Sequence, residues 1–323
     1  MSGLRVGLVG AGGVGERHAQ TLAGLDDVRL VAVTDVDPAR AQALADQHEA
    51  MACPDVEALL GTSGLDAVWL CLPPFAHGPT ERLVLDAGLP FFVEKPVAVD
   101  LETAQEVARR VADSGTITAT GYHWRCMPGV ERAQEVLAEA PVRLASALWL
   151  DKVPPVPWWS QRRLSGGQVL EQATHLLDCM RLLVGEPVRV SAAPARVPGR
   201  DAELVDPATA ATLVFDTGAV ATLVTTSLLP RKHAAAVSLV ADGLLVEVAE
   251  TETRLHHGDD VERIVDEGTS KVRVDAEFCA AVRSGDPTAV RATYAEALRT
   301  HRVGLALADS AATGAWVDLP AAP

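Results

Sequence analysis

Lys95 and His175 are the two side chains of this sequence whose surroundings suggest chemistry on a small molecule. Lys95 lies in Glu94-Lys95-Pro96, directly after the apolar run Phe91–Val93. If that run is a strand, successive residues point to opposite faces. Glu94 and Lys95 then need not neutralise one another, and Lys95 can face a reacting group. A solvated lysine in a turn fits the same tripeptide. His175 lies in Gly166-Gly167-Gln168-Val169-Leu170-Glu171-Gln172-Ala173-Thr174-His175-Leu176-Leu177-Asp178. On one continuous helix Glu171, His175 and Asp178 are spaced i, i+4, i+7 and share a face. A carboxylate one turn from an imidazole fixes its tautomer and raises its basicity, which makes a proton-transfer unit. A solvated Glu–His helix pair has the same spacing. No HExxH is present and two of the three groups are hard carboxylates, so no metal is expected.

A second motif lies near the N-terminus. Residues 10–15 read Gly10-Ala11-Gly12-Gly13-Val14-Gly15, a G-x-G-x-x-G. Gly10 permits a tight turn, Gly12 lets backbone approach a pyrophosphate, and Gly15 allows close helix–strand packing. A helix starting here points its positive end at the phosphates. An apolar strand precedes the loop, and the next strand ends in Asp35, 20 residues past Gly15. A carboxylate there can accept both ribose hydroxyls of an adenosine. Val36 and Asp37 follow, with Arg40 the nearest cation, so NAD is favoured over NADP. A P-loop needs Gly-Lys-Ser/Thr, but Gly15 is followed by Glu16 and Arg17, which argues against an NTPase.

These groups require elements to hold them. Over about residues 1–121 short apolar runs alternate with helical stretches, including 4–9, 28–34, 67–72, 91–93 and 117–121 as strands. That alternation predicts an α/β doubly wound parallel sheet of the Rossmann type, and the ends of its strands line a ligand crevice. From about residue 122 the pattern changes to β-like runs separated by Gly, Pro or Asp, such as 208–215 and 219–227. Such runs predict antiparallel pairing. Residues 122–323 are therefore read as an α+β domain with a mostly antiparallel open sheet, to which the resemblance described below adds substrate-binding and oligomerisation roles. Its final helix can pack back on the first domain. A helix is predicted over 166–184. Tyr122, His123 and Arg125 follow the last Rossmann strand, and Trp158 and Trp159 end a Pro/Trp-rich loop. Aromatic faces suit the C–H face of a sugar ring, and His and Arg suit its hydroxyls. The tryptophans also fit a bracing role.

Taken in order, several motifs resemble the Gfo/Idh/MocA family of nicotinamide-dependent dehydrogenases. They are the 10–15 loop, Asp35 with Asp37-Pro38-Ala39-Arg40-Ala41, Pro73-Pro74 with His77, and Glu94-Lys95-Pro96. Gly121-Tyr122 with Arg125, the segment 165–178 and a terminal helix with Ser310 complete the set. The resemblance runs over essentially the whole chain. It implies that Lys95 contacts substrate and assists proton transfer, and that His175 is the acid/base on the oxidised hydroxyl. The family usually has Asp where this chain has Glu171, one methylene longer. Leu72, Pro73, His77 and Glu94 would line the cofactor together with Gly10 to Gly15, Asp35 and Lys95. The implied substrate is a sugar, inositol or related polyol, and the second-domain sheet would form a homodimer or homotetramer. Two rival functions share the fold: an NAD-using glycosidase and a non-catalytic dinucleotide-binding sensor or co-regulator.

Composition sets the outer bounds. At 323 residues the length predicts two domains. The net charge of −15 repels phosphate backbones and anionic lipid, so neither nucleic acid nor membrane is an expected partner. No apolar run approaches the ~20 residues of a membrane span. Five scattered cysteines without a CxxC suit a reducing, cytoplasmic setting.

Overall fold

The computed structural model describes residues 3–199 and 201–320. The chain divides into two compact units. Unit 1 comprises residues up to Ala98, Glu102–Gly121 and Lys271–Leu298; unit 2 comprises Val99–Leu101, Tyr122–Ser270 and the residues from Arg299 on. A cut at residue 121 alone therefore omits a segment that returns to unit 1.

Unit 1 is a six-stranded parallel sheet: β1 (Leu4–Val9), β2 (Val28–Thr34), β3 (Met51–Ala52), β4 (Ala67–Leu70), β5 (Phe91–Val93) and β6 (Thr118–Thr120). Their order is β3-β2-β1-β4-β5-β6, the doubly wound arrangement read from the sequence. The helices are α1 (Gly13–Ala23), α2 (Pro38–Gln47), α3 (Val56–Leu60), α4 (Pro79–Asp86) and α5 (Leu101–Ser114). The central strands are buried on both faces, with Val6, Leu8, Val68, Trp69 and Phe92 at 0% exposure. That is why they read as unbroken apolar runs rather than alternating ones. Asp37 caps α2, its carboxylate accepting the Ala39 N–H at 3.0 Å, and Pro38 occupies the first turn where its missing N–H costs nothing. The strand direction reverses its winding between β1 and β4, so the carboxyl ends Val9, Thr34, Leu70, Val93 and Thr120 deliver the predicted site residues to one edge. Strand β4 stops at Leu70, two residues short of the predicted end, which leaves Leu72 and Pro73 in the edge loop.

Unit 2 contains α6 (Pro128–Glu139), β7 (Leu144–Leu150), α7 (Arg162–Ser165), α8 (Gln168–Glu171) and α9 (Thr174–Val184). Strands β8 (Pro187–Pro194), β9 (Ala208–Phe215), β10 (Val220–Thr226), β11 (Ala234–Ala241), β12 (Leu244–Ala249), β13 (Glu252–His257) and β14 (Asp260–Val265) follow. Then come α10 (Thr269–Ser284), most of which belongs to unit 1, α11 (Tyr294–Thr313) and β15 (Val317–Asp318). The nine-stranded sheet runs β14-β13-β12-β11-β7-β10-β9-β8-β15. Neighbours pair antiparallel except β7 with β10. Two-residue turns at Asp242-Gly243 and Gly258-Asp259 join β11 to β12 and β13 to β14, as the positive φ of a hairpin turn demands. Alternate residues of β7 (Ala145, Ala147, Trp149) face the core with Leu176, Leu177 and Met180 of α9. Among the described residues no helix is long and apolar enough to cross a membrane.

Candidate active site

The dinucleotide half of the expected site lies in unit 1. Gly10 has φ +97°, and a Cβ there would fall 2.3 Å from the Cys71 carbonyl oxygen. At Gly15 a Cβ would fall 1.9 Å from the Gly10 carbonyl oxygen. Both glycines are thus required by backbone approach. Gly12 and Gly13 instead face open space, with nothing within 4 Å of an added Cβ. Gly12 is the N-cap of the 11-residue α1 and supplies no side-chain cap, so the first N–H groups at Gly13, Val14 and Gly15 await an acceptor from outside the helix. Asp35 closes the loop from β2: its carboxylate accepts the Ala11 N–H at 2.6 Å and the Asp37 N–H at 2.8 Å. A carboxylate has about four lone-pair sites, so two ribose hydroxyls can still bind. Arg40 pairs with Asp37 at 3.4 Å. The loop and Asp35 fit NAD and set a carboxylate against a 2′-phosphate.

His77 is buried, with Nδ1 2.5 Å from Glu81 Oε1, while Glu81 Oε2 accepts the Gly78 N–H at 2.6 Å and so fastens the start of α4. A cofactor contact from His77 is left to Nε2, a buried atom with no hydrogen-bond partner.

The Glu94 carboxylate is buried and held by two cationic side chains of α1. Oε1 accepts from Arg17 Nη2 at 3.0 Å and from His18 Nε2 at 2.8 Å, and Oε2 accepts the Lys95 N–H at 3.1 Å. Burial alone would raise the Glu94 carboxyl, but the hydrogen bond and charge of His18 outweigh it and bring it down to about 2. Burial alone would lower His18, but Asp275 and then Glu94 outweigh it and push the imidazole up to about 9. The His18 contribution to stability is complete below its ordinary 6.5 and is lost as pH rises through about 9. The Glu94 contribution is complete above its ordinary 4.5 and is lost as pH falls toward 2. Stability from this network is thus greatest between about pH 4.5 and 6.5. A Tm series should show wild type losing on the order of 2–3 kcal/mol relative to His18→Asn between pH 6 and 9.5. Parallel pH curves would contradict it.

The histidine half lies in unit 2. The predicted single helix over 166–184 is two helices. Gly166 (φ +73°) and Gly167 (φ +94°) precede α8. After Glu171 the chain widens: the Ala173 N–H bonds Gln168 O, five residues back, at 3.0 Å. The Gln168 amide donates to Gln172 Oε1 at 2.9 Å and Thr226 O at 2.8 Å, and α9 then starts afresh. Glu171 thus ends α8, while His175 and Asp178 lie in α9. Asp178 turns into a buried ion cluster, bidentate to Arg125 at 2.7 and 2.8 Å, accepting from Thr300 Oγ1 at 2.8 Å and lying 3.8 Å from Arg181.

His175 is 6% exposed. The Trp124 and Trp149 indoles lie nearly parallel to it, with centroids at 6.3 and 6.2 Å. Tyr122 and His123 stand edge-on at 5.9 and 5.0 Å. Lys232 Nζ sits 3.8 Å over the Trp149 ring, a cation–π contact. This aromatic enclosure was not found from the sequence. The period of β7 places Trp149 on the core face, but its nearness to His175 is tertiary.

Several expected substrate residues make hydrogen bonds within unit 2. The Arg125 fork holds Asp178, because a buried carboxylate demands a fixed bidentate partner. Tyr122 is 1% exposed and its hydroxyl bonds Thr174 Oγ1 at 2.8 Å. Burial and then the Asp178 charge raise that phenol, so it stays protonated. Trp159, also 1% exposed, donates its indole N–H to Glu171 Oε2 at 2.7 Å. His123 and Trp158 are partly exposed. Trp159→Phe removes a hydrogen bond to a charged group, normally about 1.5–3 kcal/mol. If Glu171 takes part in turnover, turnover is expected to fall about tenfold or more, with cofactor affinity unchanged; wild-type turnover would show that the Trp159–Glu171 bond does not matter to it.

Lys95 lies at the end of β5 in unit 1, whereas Glu171 and His175 lie in unit 2. Among the described residues no group of three or more His, Cys, Asp or Glu could hold a metal ion.

Comparison with known proteins identifies the family. Residues 4–122 match the family described as oxidoreductase family, NAD-binding Rossmann fold, and residues 140–261 match the C-terminal domain of the same family. The chain is 31% identical over 194 residues to the inositol 2-dehydrogenase of Rhizobium meliloti (strain 1021), covering 59% of this chain and 58% of that one. It is 32% identical over 194 residues to the D-glucoside 3-dehydrogenase of Escherichia coli (strain K12), covering 58% and 55%. The matched stretch thus spans little more than half the length of either relative. A levoglucosan dehydrogenase solved with NADH and levoglucosan shares the fold, with a TM-score of 0.90, 19% identity and coverage of 99% and 100%. With both of its domains matched in order, the chain belongs to the Gfo/Idh/MocA oxidoreductase family.

Proposed function

We propose that the protein is an NAD-dependent dehydrogenase acting on a secondary alcohol of a sugar, inositol or related polyol. The observation that carries this reading is the presence in one chain of an open glycine cradle with Asp35 and a histidine enclosed by aromatic rings. The named relatives act on inositol and a glucoside, which supports the substrate class. Bound NAD supplies the hydride acceptor. His175 takes the proton of the substrate hydroxyl as general base. The Lys95 ammonium stabilises negative charge developing on that oxygen. Glu171, fixed by the Trp159 indole N–H, contributes a carboxylate on the segment that leads into α9. The indoles beside His175 keep water from the proton transfer and offer flat faces to the C–H side of a ring.

The test is a progress curve at 340 nm with NAD⁺ or NADP⁺ against inositols, aldoses and sugar acids. Net NADH formation with one polyol, faster with NAD⁺, is the expected result. Cleavage of a glycoside without net NADH would favour the glycosidase instead. NADH binding with no turnover on any member would favour a sensor.

A second copy of the chain is the proposed partner. Leu144, Val220 and Val240 are 47%, 42% and 41% exposed and lie in one row across β10, β7 and β11. Such a contiguous apolar row on a sheet face suits a two-fold interface. Light scattering should give at least twice the monomer mass, and Val220→Glu with Val240→Glu should give the monomer; an unchanged mass would exclude this face. All five cysteines are free, in keeping with the reducing cytoplasm proposed as its location.

A further inference from the structure

Beneath the glycine loop, the His18 imidazole is held between two carboxylates. Nδ1 lies 2.8 and 2.9 Å from the two Asp275 oxygens, and Nε2 lies 2.8 Å from Glu94 Oε1. A bare nitrogen lone pair at that distance from a carboxylate oxygen would repel it, so each ring nitrogen carries a proton. His18 is therefore an imidazolium that donates twice. Arg17 Nη2 lies 3.1 Å from His18 Nε2, a spacing that follows from two donors converging on one Glu94 oxygen. Asp275 is itself fixed by the Trp69 indole N–H at 2.9 Å.

We propose that His18 is a positioning residue for Lys95: bridging Asp275 and Glu94, it fixes the Glu94 carboxylate that holds the Lys95 backbone amide. The proposal rests on the role given to Lys95 above. Glu94 Oε2 accepts that amide at 3.1 Å. Gly121 forms the other wall, since a Cβ there would fall 2.6 Å from Glu94 Cδ and both its oxygens. The carboxylate thus has no room to swing and no free acceptor on Oε1. His18 lies in α1, three residues past Gly15. The bridge therefore ties the helix that follows the phosphate loop to the strand end that carries Lys95. Both ends of the reaction's cofactor half are then set by one ion.

Charged groups face His18 from three elements. Arg17 comes from α1, Glu94 and Lys95 from the end of β5, and Asp275 from α10. The Cys71 thiol, after β4, is raised by burial and by the Glu94 and Asp275 charges and stays neutral. Of these only His18, Glu94 and Asp275 are buried charges, with Arg17 half-exposed. Loss of the His18 proton leaves the two buried carboxylates without a buried cation, and the Glu94 contact loses its donor.

The test reads the Lys95 amide directly. The chain has four lysines, Lys95, Lys152, Lys232 and Lys271, so ¹⁵N-lysine labelling yields a small, assignable set of backbone amides. Hydrogen exchange at Lys95, corrected for its intrinsic rate, is followed from pH 6 to 10. Wild type should be protected up to about pH 9, in line with the His18 value. Asp275→Asn should exchange at least about tenfold faster at pH 7, the loss of one hydrogen bond's worth of protection. Its protection should also fail at lower pH, and Asp275→Glu should recover both effects. With the polyol found in the panel, Asp275→Asn and His18→Asn should lower kcat tenfold or more, with KM and NADH Kd within about threefold. If His18→Asn does not fold, Glu94→Gln takes its place. Unchanged Lys95 exchange in Asp275→Asn overturns the proposal. A lower Tm with unchanged kcat also overturns it, reducing the triad to a structural clamp. If wild type turns over no polyol, the dehydrogenase reading fails while the exchange measurements still decide the triad.

Discussion

Alanine at His175 is expected to lower turnover about a hundred- to ten-thousand-fold, the usual worth of a positioned general base, while NADH affinity stays within about threefold. Lys95→Ala is expected to do the same through a different property, the loss of charge opposite the reacting oxygen, typically worth a hundredfold or more. The split between kcat and cofactor affinity is the informative part. Neither side chain belongs to the glycine cradle, which binds through backbone N–H groups and Asp35. Stopped-flow hydride transfer and fluorescence titration with NADH measure the two quantities separately. Turnover near wild type in either variant would withdraw that residue from the mechanism. A large loss of NADH affinity with kcat intact would make it a binding residue only.

Gly15→Ala is expected to be the most damaging single methyl group in the chain. The added carbon would sit 1.9 Å from the Gly10 carbonyl oxygen. The obstruction is backbone, so no side chain can rotate away, and either the loop or the start of α1 must move. Such forced shifts cost several kcal/mol. NADH affinity should fall by more than a hundredfold, or the protein should lose its cooperative unfolding transition near the wild-type Tm. Gly13→Ala is the control. Its Cβ meets open space and alanine favours a helix, so Tm should hold or rise slightly. A Gly15→Ala protein with wild-type Tm and NADH affinity would show that the loop can relax, contrary to this geometry.

Much of unit 1 was legible because its signals are local. The loop glycines, the acid at Asp35 and the cap at Asp37 act within a few residues of themselves. Unbroken apolar runs mark strands buried on both faces. The break between Glu171 and Thr174 was not legible. No glycine or proline marks it, and it depends on the Gln168 amide reaching Thr226 O, 58 residues away. The His18–Glu94 pairing was hidden for the same reason: the two residues are 76 apart, and residue type alone did not say which cation would claim Glu94. Trp159 carried half of its role in its type, an apolar ring with one N–H donor, but not the identity of the acceptor. Distant polar pairings, more than elements, were what the sequence withheld.

The segment that returns to unit 1 has a consequence for the order in which the protein comes into being. His18 and Asp275 are 257 residues apart. At a synthesis rate of about 5–20 residues per second, His18 leaves the ribosome roughly 13–50 s before its acid exists. During that interval Trp69 and Phe92 also lack Phe278, whose ring later sits 5.0 and 6.0 Å from theirs. The nascent N-terminal sheet is thus exposed at one aromatic patch and carries a histidine that lacks one of its two carboxylate partners. Completion of the cofactor half is a late event of translation, which makes premature termination anywhere before α10 a loss of the first unit as well as the second.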